Sequence, residues 1–252
     1  MLDDFTLIES NHISKERLNV YPVGDVHIGS KEFDLDLFYE WRKQVEDDPN
    51  GVVVIVGDMM NMGLKNSKSN VYEEKLTPLE QKELCYELLK PIADKIIGGC
   101  SGNHEYRQVR EVGTNPLYDV FCRLRIEDRY RENVCFIKLT VGKHFGNPNT
   151  YGVVLTHGKS KSKDELWTYG VDGCDCFISG HTHLGTHQPM GKIRMDLSHD
   201  KVKTVGYQQV VVLPFQRYGG YAVRGKYMPN HLGQFQCITF DGKSKRVGYT
   251  FN

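Results

Sequence analysis

Apolar residues along the chain fall into short blocks, most of them closed by a glycine and then a polar residue. The clearest is GVVVIVGD (51–58), a β-branched run of the kind found in strands buried on both faces. LNVYPVGDVHIG (18–29) predicts a shorter strand broken at Gly24, and KIIGGCSGNHE (95–105) another ending in glycines. Between these blocks the period lengthens. In DLDLFYEWRKQVEDD (34–48), Leu37, Trp41 and Val45 recur every four residues and Asp34 can cap, which predicts a helix. TPLEQKELCYELLK (77–90) predicts a second, with Thr77, Pro78 and Glu80 as a capping box and Pro91 as the stop. NPLYDVFCRLRIEDRY (115–130) predicts a third, begun by Asn115 and Pro116. The polar stretch NMGLKNSKSNVYEE (61–74) reads as a loop.

Beyond residue 130 the pattern is mostly strand: VCFIKLTV (134–141), YGVVLTHG (151–158), CDCFISGH (174–181), VGYQQVVVLPF (205–215) and FQCITF (235–240). No repeat, low-complexity linker or composition shift divides the chain. The expectation is one α/β domain over 1–252 with a large mixed sheet or two packed sheets. Residues 190–252 carry no motif; they are expected to extend the second sheet and form one wall of a cleft.

The polar ends of the strands share one chemistry. They are Gly24-Asp25-Val26-His27, Gly57-Asp58 with Asn61 beyond, Gly102-Asn103-His104-Glu105, His157-Gly158, and Gly180-His181-Thr182-His183. Carboxyl ends of strands line the binding crevice of α/β sheets, so these five segments describe one site. Asp25 and His27, like His181 and His183, stand at i and i+2, which in extended chain point to one side. Carboxylates and imidazoles crowded together are costly unless a cation neutralises them. Mixed oxygen and imidazole donors suit Mn²⁺, the leading candidate, or Fe, Zn²⁺ or Ni²⁺, rather than Ca²⁺. About seven candidate ligands at these strand ends exceed the needs of one four- to six-coordinate ion. Two divalent ions sharing a bridging carboxylate would use them all, and such pairs commonly hydrolyse phosphoryl or acyl groups. A single Asp-x-His or Gly-Asp is an ordinary turn; the ordered set is not.

Composition narrows the setting. Lys plus Arg equals Asp plus Glu at 32 each, which argues against a partner held by bulk charge, though not against a local basic groove. Seven cysteines without a CxxC pair predict reduced thiols. MLDDFTLIES lacks the basic and apolar regions of a signal peptide, and no apolar run reaches a membrane span, so the expectation is a soluble cytoplasmic protein.

The ordered motifs resemble those of the calcineurin-like metallophosphoesterase superfamily over residues 25–183. The resemblance implies a four-layer αββα sandwich, two packed mixed β-sheets flanked by helices. It implies one ion on Asp25, His27, Asp58 and His183, and another on Asp58, Asn103, His157 and His181, with Asp58 bridging. It further implies a hydroxide held between the metals that attacks phosphorus in line. Asn103 and His104 become the catalytic candidates, His104 protonating or stabilising the leaving oxygen. The protein Ser/Thr phosphatase branch has a second Asp where this chain has Asn61, and an Arg where it has Ser101. Both departures argue against that branch. GDMMNMGLKNSKSNVYEE with SGNHEYR is also similar to small metallophosphoesterases of phages and prophages of Gram-positive bacteria.

For substrate, Arg107 and Arg110 can clamp phosphate or be surface charges, and Asn61 lies close by. Lys159, Lys161 and Lys163 follow His157 and can line a groove for a phosphate backbone, or be a solvated loop. FQRYGGYAVRGKYMPNH (215–231) offers stacking surfaces or plain core. The reading leans to a phosphodiesterase on nucleic acid or a nucleotide. The alternatives are a phosphomonoesterase on a small molecule or phosphoprotein, and a non-catalytic metal-binding scaffold. Oligomeric state is not legible.

Overall fold

A computed structural model describes residues 4–65, 71–159, 170–229 and 233–252. Its strands form two six-stranded mixed sheets. The first has the order β12 (Val247–Phe251), β11 (Gln236–Asp241), β2 (Arg17–Val23), β3 (Gly51–Val56), β4 (Ile96–Cys100), β5 (Tyr130–Arg131). From β2 to β5 every pairing is parallel, whereas β11 and β12 pair antiparallel. The second has the order β1 (Ile8–His12), β6 (Val134–His144), β7 (Asn147–Thr156), β8 (Cys176–Ser179), β10 (Lys201–Val211), β9 (His187–Asp196). The strands of 190–252 therefore divide between the two sheets.

The parallel half needs crossovers, and the helices supply them. Helix α1 (Leu35–Asp47) joins β2 to β3 and buries Leu37, Phe38, Trp41 and Val45, a stripe at helical spacing. Asp34 caps it, accepting from Leu37 N. Helix α2 (Pro78–Leu89) carries the capping box of Thr77 and Glu80. Both pack with α4 (Pro116–Leu124) on the outer face of the first sheet, in a cluster that includes Trp41, Val53, Ile55, Leu88 and Phe121. Truncating the fully buried Trp41 to alanine would cost about 3–5 kcal/mol.

A second cluster, including Val20, Val54, Ile137, Leu155, Ile178 and Val210, lies between the sheets and welds them face to face. The uniform apolarity of β3 follows: its alternate residues fill two different cores.

Two predicted elements end differently. The helix expected over 115–130 stops at Leu124, because Arg125 adopts a left-handed conformation at φ 61°. Residues 127–129 then form a 3-10 turn leading into β5. Conversely, the strand expected to reach residue 105 ends at Cys100, and helix α3 (Asn103–Val112) begins at once. No described helix is long and apolar enough to cross a membrane.

Candidate metal centre

All five motif segments meet at one end of the seam between the sheets. Asp25 and His27 follow β2, Asp58 follows β3, and Asn103 and His104 open α3 after β4, so these come from the first sheet. His157 follows β7, and His181 and His183 follow β8, so these come from the second.

The strand alternation expected to aim the i and i+2 pairs is not what aims them. β2 ends at Val23 and β8 at Ser179, before the pairs begin. Asp25, His27, Asp58, His181 and His183 instead all have positive φ, between 50° and 70°. For non-glycine residues that conformation costs backbone strain, and strain of this kind collects where side chains must be aimed. Each turn swings its side chain back across the strand end into the seam.

Close backbone approach does the rest. A Cβ at Gly102 would lie 2.1 Å from Asp58 Oδ1, and one at Gly57, itself at φ +82°, would lie 2.3 Å from Gly102 N. With hydrogen there, the start of α3 abuts Asp58, whose Oδ1 accepts from His104 N at 2.8 Å. The buried Glu105 carboxylate seals the junction, accepting from the main-chain N–H groups of Asp58, Met60 and Gly102 at 2.9, 3.1 and 2.9 Å. Burial and the nearby Asp58 charge push its pKa up to about 7, against the pull of those donors. The sequence motif contained Glu105, but only this three-way contact reveals its structural part.

Three groups of donor atoms could each hold a cation: Asp25, His27 and His183; Asp58, His157 and His181; and His27, Asp58 and His104. Asp58 Oδ2 is the common point, 3.1 Å from His157 Nε2, 3.7 Å from His104 Nε2 and 3.8 Å from His27 Nε2. Asn103 Oδ1 lies 2.8 Å from His181 Nδ1 and 3.1 Å from His157 Nε2, beside the second group. Asp25 Oδ1 sits 3.1 Å from His183 Nε2 and 3.9 Å from His27 Nε2. Neither Asp25 Oδ1 nor His27 Nε2 makes a hydrogen bond among the described residues, though both are buried. Orphaned atoms of this kind are costly, and a divalent cation is the partner that suits both.

Contacts behind the candidate ligands fix which nitrogen faces the centre. His157 Nδ1 donates to the carbonyl of Val56 at 2.8 Å, which turns Nε2 inward. His27 Nδ1 donates to Asn61 Oδ1 at 3.2 Å, with the same result. His104 Nδ1 donates to the main-chain carbonyl of Asn61 at 2.7 Å, leaving Nε2 toward Asp58 and 2.9 Å from Arg107 Nη2.

The electrostatics divide the histidines. Burial disfavours charge on His157, but Asp58 and Asp25 outweigh it and raise its pKa to about 10. Burial, with His104 and His183 adding repulsion, lowers His27 to about 3 despite the carboxylates. Burial also lowers His104, with Arg107 acting in the same sense and Asp58 against. Asp58 is held well below the usual carboxylate range: its own burial works the other way, but His157 and His104 dominate.

The expected substrate residues are placed unequally. Arg107 reaches the centre through His104. Arg110 is exposed and pairs with Glu111. Asn61 is buried, its side chain taken up by His27 and Glu74. Lys159 is exposed next to the His157 turn, while Lys161 and Lys163 lie outside the described residues. Tyr218 donates its hydroxyl to the carbonyl of Tyr227, so that part of the aromatic stretch folds on itself.

A model of the calcineurin-like phosphoesterase family matches residues 18–191. The chain belongs to that family, and so to the metal-dependent phosphoester hydrolases. Among solved structures it is similar to a metallophosphoesterase from Sphaerobacter thermophilus, at 12% identity and TM-score 0.46, over 93% of this chain and 88% of that one. It is also similar to the calcineurin-like phosphoesterase YfkN from Bacillus subtilis, at 14% identity and TM-score 0.43, over 94% and 91%. A third is Vps29 from Entamoeba histolytica in complex with zinc, at 11% identity and TM-score 0.45, over 93% and 98%. No curated protein sequence matches the chain.

Proposed function

We propose that the protein hydrolyses phosphodiesters, in nucleic acid or a nucleotide, at a pair of divalent cations, with Mn²⁺ the leading candidate. Asp25, His27, Asp58 and His183 would hold one ion, and Asp58, Asn103, His157 and His181 the other. Such a pair, when bound, activates water as the nucleophile and neutralises charge on the phosphoryl oxygens. The observation that carries the reading is Asp58: one carboxylate oxygen shared between two ligand groups, with His104 beside it.

His104 is the group that moves a proton. Its Nδ1 proton is committed to the Asn61 carbonyl, so Nε2, which accepts from Arg107 in this structure, is the atom that takes up and gives away a proton on the side of the centre. A phosphate seated between His104 and Arg107 favours the protonated ring, which then supplies the leaving oxygen. Asn103 orients the same end of the substrate from the start of α3.

Charge favours a diester. Ser101, at the position of the phosphatases' Arg, is buried and bonded to Tyr130 and Asn115. Among the described residues a single guanidinium, that of Arg107, contacts the cluster, and one such cation suits the single charge of a phosphodiester. The setting would be a bacterial or phage-infected host cytosol, a reading supported by seven cysteines without a CxxC pair and by the similarity to phage and prophage members.

The test is hydrolysis of a chromogenic phosphodiester beside its monoester, by stripped protein reloaded with Mn²⁺. Faster diester turnover supports the proposal. Faster monoester turnover makes the protein a phosphatase, and no turnover with Mn²⁺, Fe²⁺, Zn²⁺ or Ni²⁺ makes it a scaffold.

A further inference from the structure

We infer that Glu74 is a positioning residue for the ligand atom of His27, acting through the Asn61 amide; this rests on His27 holding a metal ion. His27 presents Nε2 to the centre only while its Nδ1 carries the proton. That requires an acceptor, and Asn61 Oδ1 is the acceptor, 3.2 Å away. An amide also has a donor end. Rotated by half a turn, Asn61 would offer N–H to His27 Nδ1 and force the proton onto Nε2, where it blocks the metal.

Glu74 forbids that rotation. Its Oε1 accepts from Asn61 Nδ2 at 2.5 Å, and a carboxylate has no donor to offer a flipped amide. Glu74 is fixed in turn: its Oε2 accepts from Gln81 Nε2 at 2.9 Å. Gln81 is fully buried and its own orientation is set twice, by donation to Leu76 O and by acceptance from Met62 N, both at 2.9 Å. Each member of the chain His27–Asn61–Glu74–Gln81 thus has one orientation only.

The backbone makes room for this arrangement. A Cβ at Gly63 would lie 2.5 Å from Glu74 Oε1. The region that reads as a polar loop in sequence therefore delivers a carboxylate behind a metal ligand.

The test is a swap of the two groups, read as Mn²⁺ affinity of metal-stripped protein by titration calorimetry. Glu74→Gln gives position 74 a donor end, so Asn61 and Gln81 can no longer both be satisfied. Affinity should fall about 10-fold or more, the scale for lost contacts behind a metal ligand. Asn61→Asp sets two carboxylates against each other and should weaken binding as well. The double variant restores every bond. Its amide at position 74 donates to the carboxylate at position 61 and accepts from Gln81, while that carboxylate accepts from His27. It should return to within about threefold of the wild type, a strongly non-additive result. Gly63→Ala, which displaces the Glu74 carboxylate and removes no polar group, should mimic Glu74→Gln. Wild-type affinity in Glu74→Gln, or additive losses in the double variant, overturns the inference and leaves the metal centre standing. Absence of Mn²⁺ binding by the wild type overturns the metal centre itself.

Discussion

His157 Nδ1 lies 2.8 Å from the carbonyl oxygen of Val56, so a side chain of the second sheet is anchored on the main chain of β3 in the first. Its other nitrogen faces Asp58 Oδ2 at 3.1 Å. In metal-free protein both nitrogens act as donors, which agrees with a pKa raised to about 10 by Asp58 and Asp25 against the cost of burial.

That proton must leave when a metal arrives. A pKa raised above the ordinary histidine value of 6.5 stabilises the metal-free fold below that value, and the contribution is lost as pH rises through about 10. Metal affinity should therefore increase with pH across that window, and binding at pH 7.5 should release protons. Calorimetry in two buffers of different ionisation enthalpy counts them; a count of zero would contradict the assignment.

Asp58 serves both ligand groups, so Asp58→Asn should reduce bound metal from two ions toward none, rather than to one. Gly102→Ala should approach the same result by another route, since its Cβ would lie 2.1 Å from Asp58 Oδ1. The same Cβ would lie 2.5 Å from Asp58 N, so main chain must shift as well and the overpacking costs about 1–3 kcal/mol or more. Elemental analysis with a thermal melt separates lost metal from lost fold.

His104→Ala should keep both metals and lose turnover by about 10²–10⁴-fold, the usual worth of a positioned proton donor. Equal losses of metal and turnover would instead make His104 a ligand, as its place in one of the three donor groups allows.

Arg107 and Arg110 should part company. Arg107→Ala raises KM for a diester, and Arg107→Lys does not restore it, because a lysine cannot span His104 and a phosphate in one plane. Arg110, exposed and paired with Glu111, should tolerate alanine with little effect on either constant. Steady-state kinetics on the three variants decides this.

The site was more legible than the path that builds it. The candidate ligands follow strand ends in order, and their chemistry points to a cation. What aims them was hidden, because left-handed turns at Asp25, His27, Asp58, His181 and His183 carry no glycine at those positions to announce them. Helix α3 was missed because Gly102 begins it without a side-chain cap of its own, and Glu105 reaches back instead. The overrun past Leu124 has the same origin, a left-handed Arg125 where a glycine would have marked the stop. β9 and β1 were missed because both lie at sheet edges, where polar and apolar residues mix and no continuous apolar run forms. The part played by Asn61 was hidden for a different reason: its contact with His104 uses the main-chain carbonyl, which sequence does not display.

Asp25 and His183 stand at opposite ends of the motif set and on different sheets. An ion gripping both is a cross-link, closing a loop of roughly 160 residues, and a disulfide of such span would restrict the unfolded chain by about 5 kcal/mol. Chelation should then do more than stop catalysis. It removes a staple from the mouth of the sandwich, and the sheets should part there first.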